Sequence, residues 1–81
     1  MKTEEEIKAA ISVTLVKFRR DNNLTQKQMG AMLGMKRYNY AKIESRVIRP
    51  SLGAASVICS LTGKSIDEMC ADYAHSQNVC K

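Results

Sequence analysis

Ile7, Ile11, Leu15 and Phe18 recur at spacings of four, four and three, the rhythm of a helix with one buried face. Thr3-Glu4-Glu5-Glu6 stands in front of them as a capping box: Thr3 can accept from the helix N-terminus and Glu6 can reach back. The acidic first turn and the closing Arg19 and Arg20 both suit the helix dipole. Asp21-Asn22-Asn23 supplies the stop. A second box, Thr25 with Gln28, starts a helix at about Gln26, with Met29, Met32 and Leu33 on one face. Gly30 inside it costs about 1 kcal/mol of helix propensity relative to Ala. That cost fits a place where the neighbouring helix comes close. Gly34 can take a left-handed conformation and turn the chain sharply.

A third helix follows over residues 36–45, where Tyr40 and Ile43 continue the apolar stripe. Lys36, Arg37, Tyr38 and Lys42 fall off that stripe and are free to meet a partner. Lys36 stands where Ser, Thr, Asp or Asn is expected, an unfavourable charge against the dipole unless an anion lies nearby. Arg46-Val47-Ile48-Arg49 makes a basic connection that Pro50 ends. Ser51 caps a fourth helix over 52–62, with Leu52, Ala55, Ile58, Cys59 and Thr62 expected inside and Ala54, Val57 and Leu61 as a second stripe. A helix so widely apolar needs more than one neighbour. Thr62-Gly63 closes it. Ser65-Ile66-Asp67-Glu68 is a third capping box, and Ile66, Met69, Cys70 and Tyr73 give the fifth helix an inner face. From Ser76 the chain turns polar and is expected to fray. The expectation is an all-α, compact five-helix domain over residues 1–75 with a tail at 76–81.

A helix pair joined by a tight turn is a common way to set one helix in the major groove of DNA. Charge supports that purpose. Of the net +5, residues 17–49 carry nine Lys/Arg against Asp21 and Glu44, hence +7, while residues 1–16 and 50–81 each carry −1. All the excess positive charge surrounds the helix pair, the footprint of a polyanion-binding surface.

Other classes find less support. Cys59, Cys70 and Cys80 are odd in number and lack a CxxC pairing, and His75 stands five residues beyond Cys70, so neither a disulfide framework nor a metal site is indicated. Cys59 and Cys70 read as small core residues and Cys80 as exposed. One His and scattered carboxylates form no catalytic constellation, so neither an enzyme nor a cofactor is expected. No apolar run approaches the roughly 18 residues of a membrane span. A cytoplasmic location is the expectation.

Leu24-Thr25-Gln26, Leu33-Gly34, Lys42-Ile43-Glu44 and Pro50-Ser51-Leu52 resemble, in order and spacing, the Cro and phage-repressor-like helix-turn-helix proteins of the Xre family. The resemblance covers about residues 12–70. It implies a lambda-repressor-like DNA-binding domain, commonly a homodimer on a near-palindromic operator. It places Gln26 as a phosphate anchor at the start of the second helix. Arg37 and Tyr38 take the leading base-reading positions, with Lys36 just before and Ala41 and Lys42 a turn later. Arg19 and Glu44 match a structural ion pair. Tyr40 and Gly53 depart from the pattern, where an aliphatic residue and a longer side chain are usual.

Chemistry refines these assignments. The Arg37 fork can donate two hydrogen bonds to O6 and N7 of guanine, worth about 1–3 kcal/mol of discrimination. Tyr38 can use its hydroxyl or pack on a thymine methyl. Lys27, Asn39, Arg46 and Arg49 are expected at the phosphates, the cations adding salt-sensitive attraction. Ala54, Val57, Leu61, Ile66, Met69 and Tyr73 are the candidate dimer interface. Competing readings are an antitoxin that also represses its own operon, a protein-interaction adaptor, and a thiol switch using the three cysteines. The protein partner implied is RNA polymerase for the regulator and a toxin for the antitoxin.

Overall fold

The computed structural model describes the backbone of residues 3–79 and the side chains of residues 3–77. Five helices follow in order: α1 (Glu4–Asp21), α2 (Gln26–Met32), α3 (Arg37–Glu44), α4 (Leu52–Thr62) and α5 (Ile66–Val79). No strand occurs among the described residues.

All three capping boxes form. The Glu6 amide donates to Thr3 Oγ1 at 3.1 Å and the Thr3 amide to Glu6 Oε1 at 3.2 Å. The Gln28 amide donates to Thr25 Oγ1 at 3.1 Å, answered by the Thr25 amide to Gln28 Oε1 at 2.8 Å. At α5 the Glu68 amide reaches Ser65 Oγ at 3.1 Å and the Ser65 amide reaches Glu68 Oε1 at 2.9 Å. Each box satisfies two donors that a helix start otherwise leaves orphaned. Stops are equally local: Asn23 (φ 55°) follows α1, and Gly34 and Gly63 take φ of 71° and 70° after α2 and α4.

α1 is the spine, packing on α3, α4 and α5, while α2 packs on α3. The core joins Ala10, Ile11 and Leu15 to Met29, Leu33, Tyr40, Ile43, Ile58, Met69 and Cys70. Ile7 and Phe18 flank it, half-buried. Cys59 is half-buried and Cys70 buried. Cys80, expected exposed, lies outside the described residues.

Two expectations need correction. The inner face of α4 runs through Ala54 and Ile58, whereas Leu52 is 92% exposed. At 100° per residue Leu52 lies roughly 200° around the helix from Ala54, so a seam centred on Ala54 and Ile58 turns it outward. It rims an open groove lined by Ile7, Ile11, Ala55 and Ile66. The tail also begins later than its polarity suggests, because α5 continues past Ser76 to Val79.

Candidate nucleic-acid interface

The α2–α3 pair is held together at Gly30. A methyl group there would lie 3.0 Å from the Met35 carbonyl oxygen and 3.2 Å from Tyr40 Cβ. Only a glycine lets the turn and α3 come this near. The same Gly30 carbonyl accepts the amides of Leu33 (3.0 Å) and Met35 (2.9 Å), which closes the turn around Gly34.

On α3 the buried side is Tyr40 and Ile43. Helical spacing puts Tyr38, Ala41 and Lys42 opposite them, with Arg37 and Asn39 on the two flanks. Lys36, Arg37, Tyr38 and Asn39 are exposed, and Ala41 and Lys42 half-buried. Tyr38 is 68% exposed, and the Lys42 ammonium stands 4.4 Å from its ring centre, one turn away, as a cation–π pair. Lys36 is the N-cap of α3 and makes no side-chain capping bond. The positive end of that helix is therefore open beside a cation.

The five expected base-reading residues thus gather at the start and outer face of one helix. The expected phosphate contacts are more dispersed, and several have partners within the protein. Lys27 is exposed on α2. Arg46 follows α3 in a left-handed conformation (φ 68°), with its guanidinium 5.9 Å from the centre of the Tyr73 ring. Arg49 Nε lies 3.3 Å from a Glu4 carboxylate oxygen, with both side chains mostly in solvent. Such an exposed pair is worth little and yields readily to another anion.

Behind the outer face of α3 sits one carboxylate. Glu44 Oε2 accepts Arg19 Nε at 2.8 Å and the Tyr40 hydroxyl; Oε1 accepts Gln26 Nε2 at 3.1 Å and Arg19 Nη2 at 3.3 Å. Arg19 Nη1 continues to the Leu24 carbonyl at 3.2 Å, and the Ser12 hydroxyl donates to the Glu44 backbone carbonyl. The Arg19 and Glu44 side chains are only 18% and 8% exposed. Burial alone would raise the Glu44 carboxyl, but hydrogen bonds from Arg19, Tyr40 and Gln26 outweigh it and hold it below its usual range. The bond to Glu44 raises the Arg19 guanidinium in turn. Burial first, and then the bond to Glu44, push the Tyr40 hydroxyl far up.

The expected ion pair is present, then, as part of a larger cluster. Sequence reasoning missed the Tyr40 hydroxyl and Ser12. Their one signal was a polar atom on a residue of the apolar face: Tyr40 where an aliphatic is usual, and Ser12 beside Ile11. Gln26, expected at a phosphate, has its amide turned to Glu44.

The dimer candidates divide. Ala54 (6% exposed) and Met69 (0%) belong to the protomer's own core and offer no surface, because they fill the seams of α4 and α5 against α1. Leu61, Ile66 and Tyr73 are half-buried against that core. Val57 is open at 37%.

A family model described as helix-turn-helix matches residues 15–69. No curated protein and no solved structure matches the chain.

Proposed function

The chain belongs to the Xre/Cro-like helix-turn-helix family of DNA-binding transcription regulators, and from that premise we propose that it is a sequence-specific regulator binding a near-palindromic operator as a homodimer. The observation that carries this reading is the outer face of α3: Lys36, Arg37 and Tyr38 stand in solvent, with half-buried Lys42 over the Tyr38 ring, on a helix held from behind through Glu44. A rigid cationic helix with a ready-made stacking pair can enter the major groove without first ordering itself.

In this reading Arg37 reads guanine, Lys36 donates to guanine or to a phosphate, and Tyr38 with Lys42 meets the next base step. Ala41 leaves room for a thymine methyl. Gln26, Lys27, Asn39, Arg46 and Arg49 position the helix on the backbone. An occupied operator then excludes or recruits polymerase. Val57 on α4 anchors the second copy, in place of Ala54 and Met69.

Selection of bound duplexes from a random pool is the direct test. The expected result is a site with two half-sites about one helical turn, 34–36 Å, apart. A pool that stays random overturns the reading. Within the selected site, Arg37→Ala should relax one base pair by about 1–3 kcal/mol, whereas Arg49→Ala should weaken all duplexes alike and lower the salt slope. Equal, sequence-independent losses from both would remove Arg37 from base reading.

A second reading, an antitoxin-like regulator that also holds a protein, is favoured by Leu52, 92% exposed at the rim of an apolar groove. Co-expression with the product of the adjacent gene tests it: a complex that Leu52→Ser dissolves is the expected result, and no complex rejects it.

A further inference from the structure

Glu44 offers two carboxylate oxygens to four donors from three helices. Arg19 arrives from α1, Gln26 from the first turn of α2, and Tyr40 from α3 itself. Arg19 is not free to follow the carboxylate, since its Nη1 is fixed on the Leu24 carbonyl just before α2. The Tyr40 ring is fully buried, with its Cβ against Gly30. Its hydroxyl is consequently delivered from a fixed pivot, one helical turn before Glu44 and on the same helix. Remove that hydroxyl and only the Arg19 fork, Nε on Oε2 at 2.8 Å and a longer Nη2 bond on Oε1 at 3.3 Å, holds the carboxylate, so its angle is less tightly set and Gln26 on Oε1 is less firmly placed.

Gln26 is the residue at stake. One of its two amide hydrogens is committed to Glu44, which fixes the amide plane relative to α3 and leaves a second hydrogen for an outside acceptor. Resting on the regulator reading above, we propose that Tyr40 is a positioning residue for DNA reading: its hydroxyl locks Glu44 so that the Gln26 amide and the outer face of α3 meet the duplex in one fixed register. Phosphate anchoring at the start of α2 and base reading on α3 are thereby coupled through one carboxylate. Tyr40 touches no DNA. It acts on specificity by fixing where the anchoring amide sits relative to the bases, and sub-ångström offsets there are costly for bidentate contacts.

Tyr40→Phe tests the coupling, because it keeps the ring that fills the core and removes only the hydroxyl. Binding is measured to the duplex selected from the random pool and to an unrelated duplex, at a temperature where the variant's circular dichroism equals that of the native protein. The expected result is a loss of about tenfold on the selected duplex, the size of one charge-assisted hydrogen bond, with less than about twofold on the unrelated one. The salt slope should stay unchanged, since no cation is lost. Tyr40→Phe and Gln26→Ala should also be non-additive on the selected duplex, Gln26→Ala costing less once the hydroxyl is gone. Equal losses on both duplexes, or additive effects, would reduce Tyr40 to a stability role and overturn the proposal. The free protein supplies a readout that needs no DNA: in Tyr40→Phe the Gln26 side-chain amide protons should exchange faster and shift toward their solvent values. Unchanged amide resonances also overturn it. If they shift but the native protein selects no duplex, the regulator reading fails and the proposal fails with it, while the cluster keeps its structural role.

Discussion

A hydrogen where every other residue has a carbon decides how closely the helix pair approaches at Gly30. The atoms a methyl would meet are the Met35 carbonyl oxygen and Tyr40 Cβ, neither of them the loose end of a side chain. Gly30→Ala gains about 1 kcal/mol of helix propensity but must force the turn apart, so a net loss of about 1–3 kcal/mol is expected in urea unfolding. A raised midpoint would show that the turn yields freely. This residue was legible in the sequence because a glycine inside a helical pattern carries a cost that close packing explains. Ser12 and the Tyr40 hydroxyl were not. Ser12 meets a backbone carbonyl 32 positions away, and periodicity reports which face a residue lies on, not which acceptor waits there.

At the scale of elements, starts and stops were the most readable features, since a capping box or a left-handed glycine is a chemical statement within four residues. The orientation of α4 was less so. Two apolar stripes competed on it, and only the position of α1 selects Ala54 and Ile58 over Leu52. The clamp on α3 gives a pH prediction. The Glu44 carboxyl is held below the value of about 4.3 that it has in an unfolded chain, so its stabilisation is complete above that pH and is lost as pH falls through the lower folded value. Tyr40 behaves in the opposite sense. Its hydroxyl is pushed up on folding, so its stabilisation is intact below about pH 10 and is lost as pH rises beyond, where the unfolded phenol ionises. Thermal midpoints measured across pH should therefore fall at both ends, and Tyr40→Phe should flatten the alkaline limb most, and the acid limb in part because Glu44 loses one of the bonds that lower it. Arg19→Ala, which leaves the Glu44 carboxylate its Tyr40 and Gln26 donors but no counter-charge, should cost up to about 3–5 kcal/mol at neutral pH.

The described residues span 34 × 25 × 22 Å. Under the proposed homodimer, two copies laid with the long axis along the duplex on half-sites about 34–36 Å apart would meet end to end. The sequence offered dimer candidates among apolar residues of α4 and α5 that it could not sort into core and surface. Met69 and Ala54 proved to be inside, because burial depends on which helices pack against α1, a long-range fact. Val57→Asp is expected to leave the fold intact and shift the protein from dimer to monomer in sedimentation. A variant that still dimerises would move the interface elsewhere.

The chain contains three tyrosines and no tryptophan, so emission excited beyond the absorption of Phe18 belongs to Tyr38, Tyr40 and Tyr73. Tyr40 is sealed in the core and Tyr73 is half-covered by its neighbours, while Tyr38 stands 68% open beneath the Lys42 ammonium. A soluble quencher such as acrylamide should therefore extinguish mainly Tyr38. Any duplex seated on α3 should shield that same fraction of the light, which makes the native protein its own optical reporter of occupancy, with no dye attached.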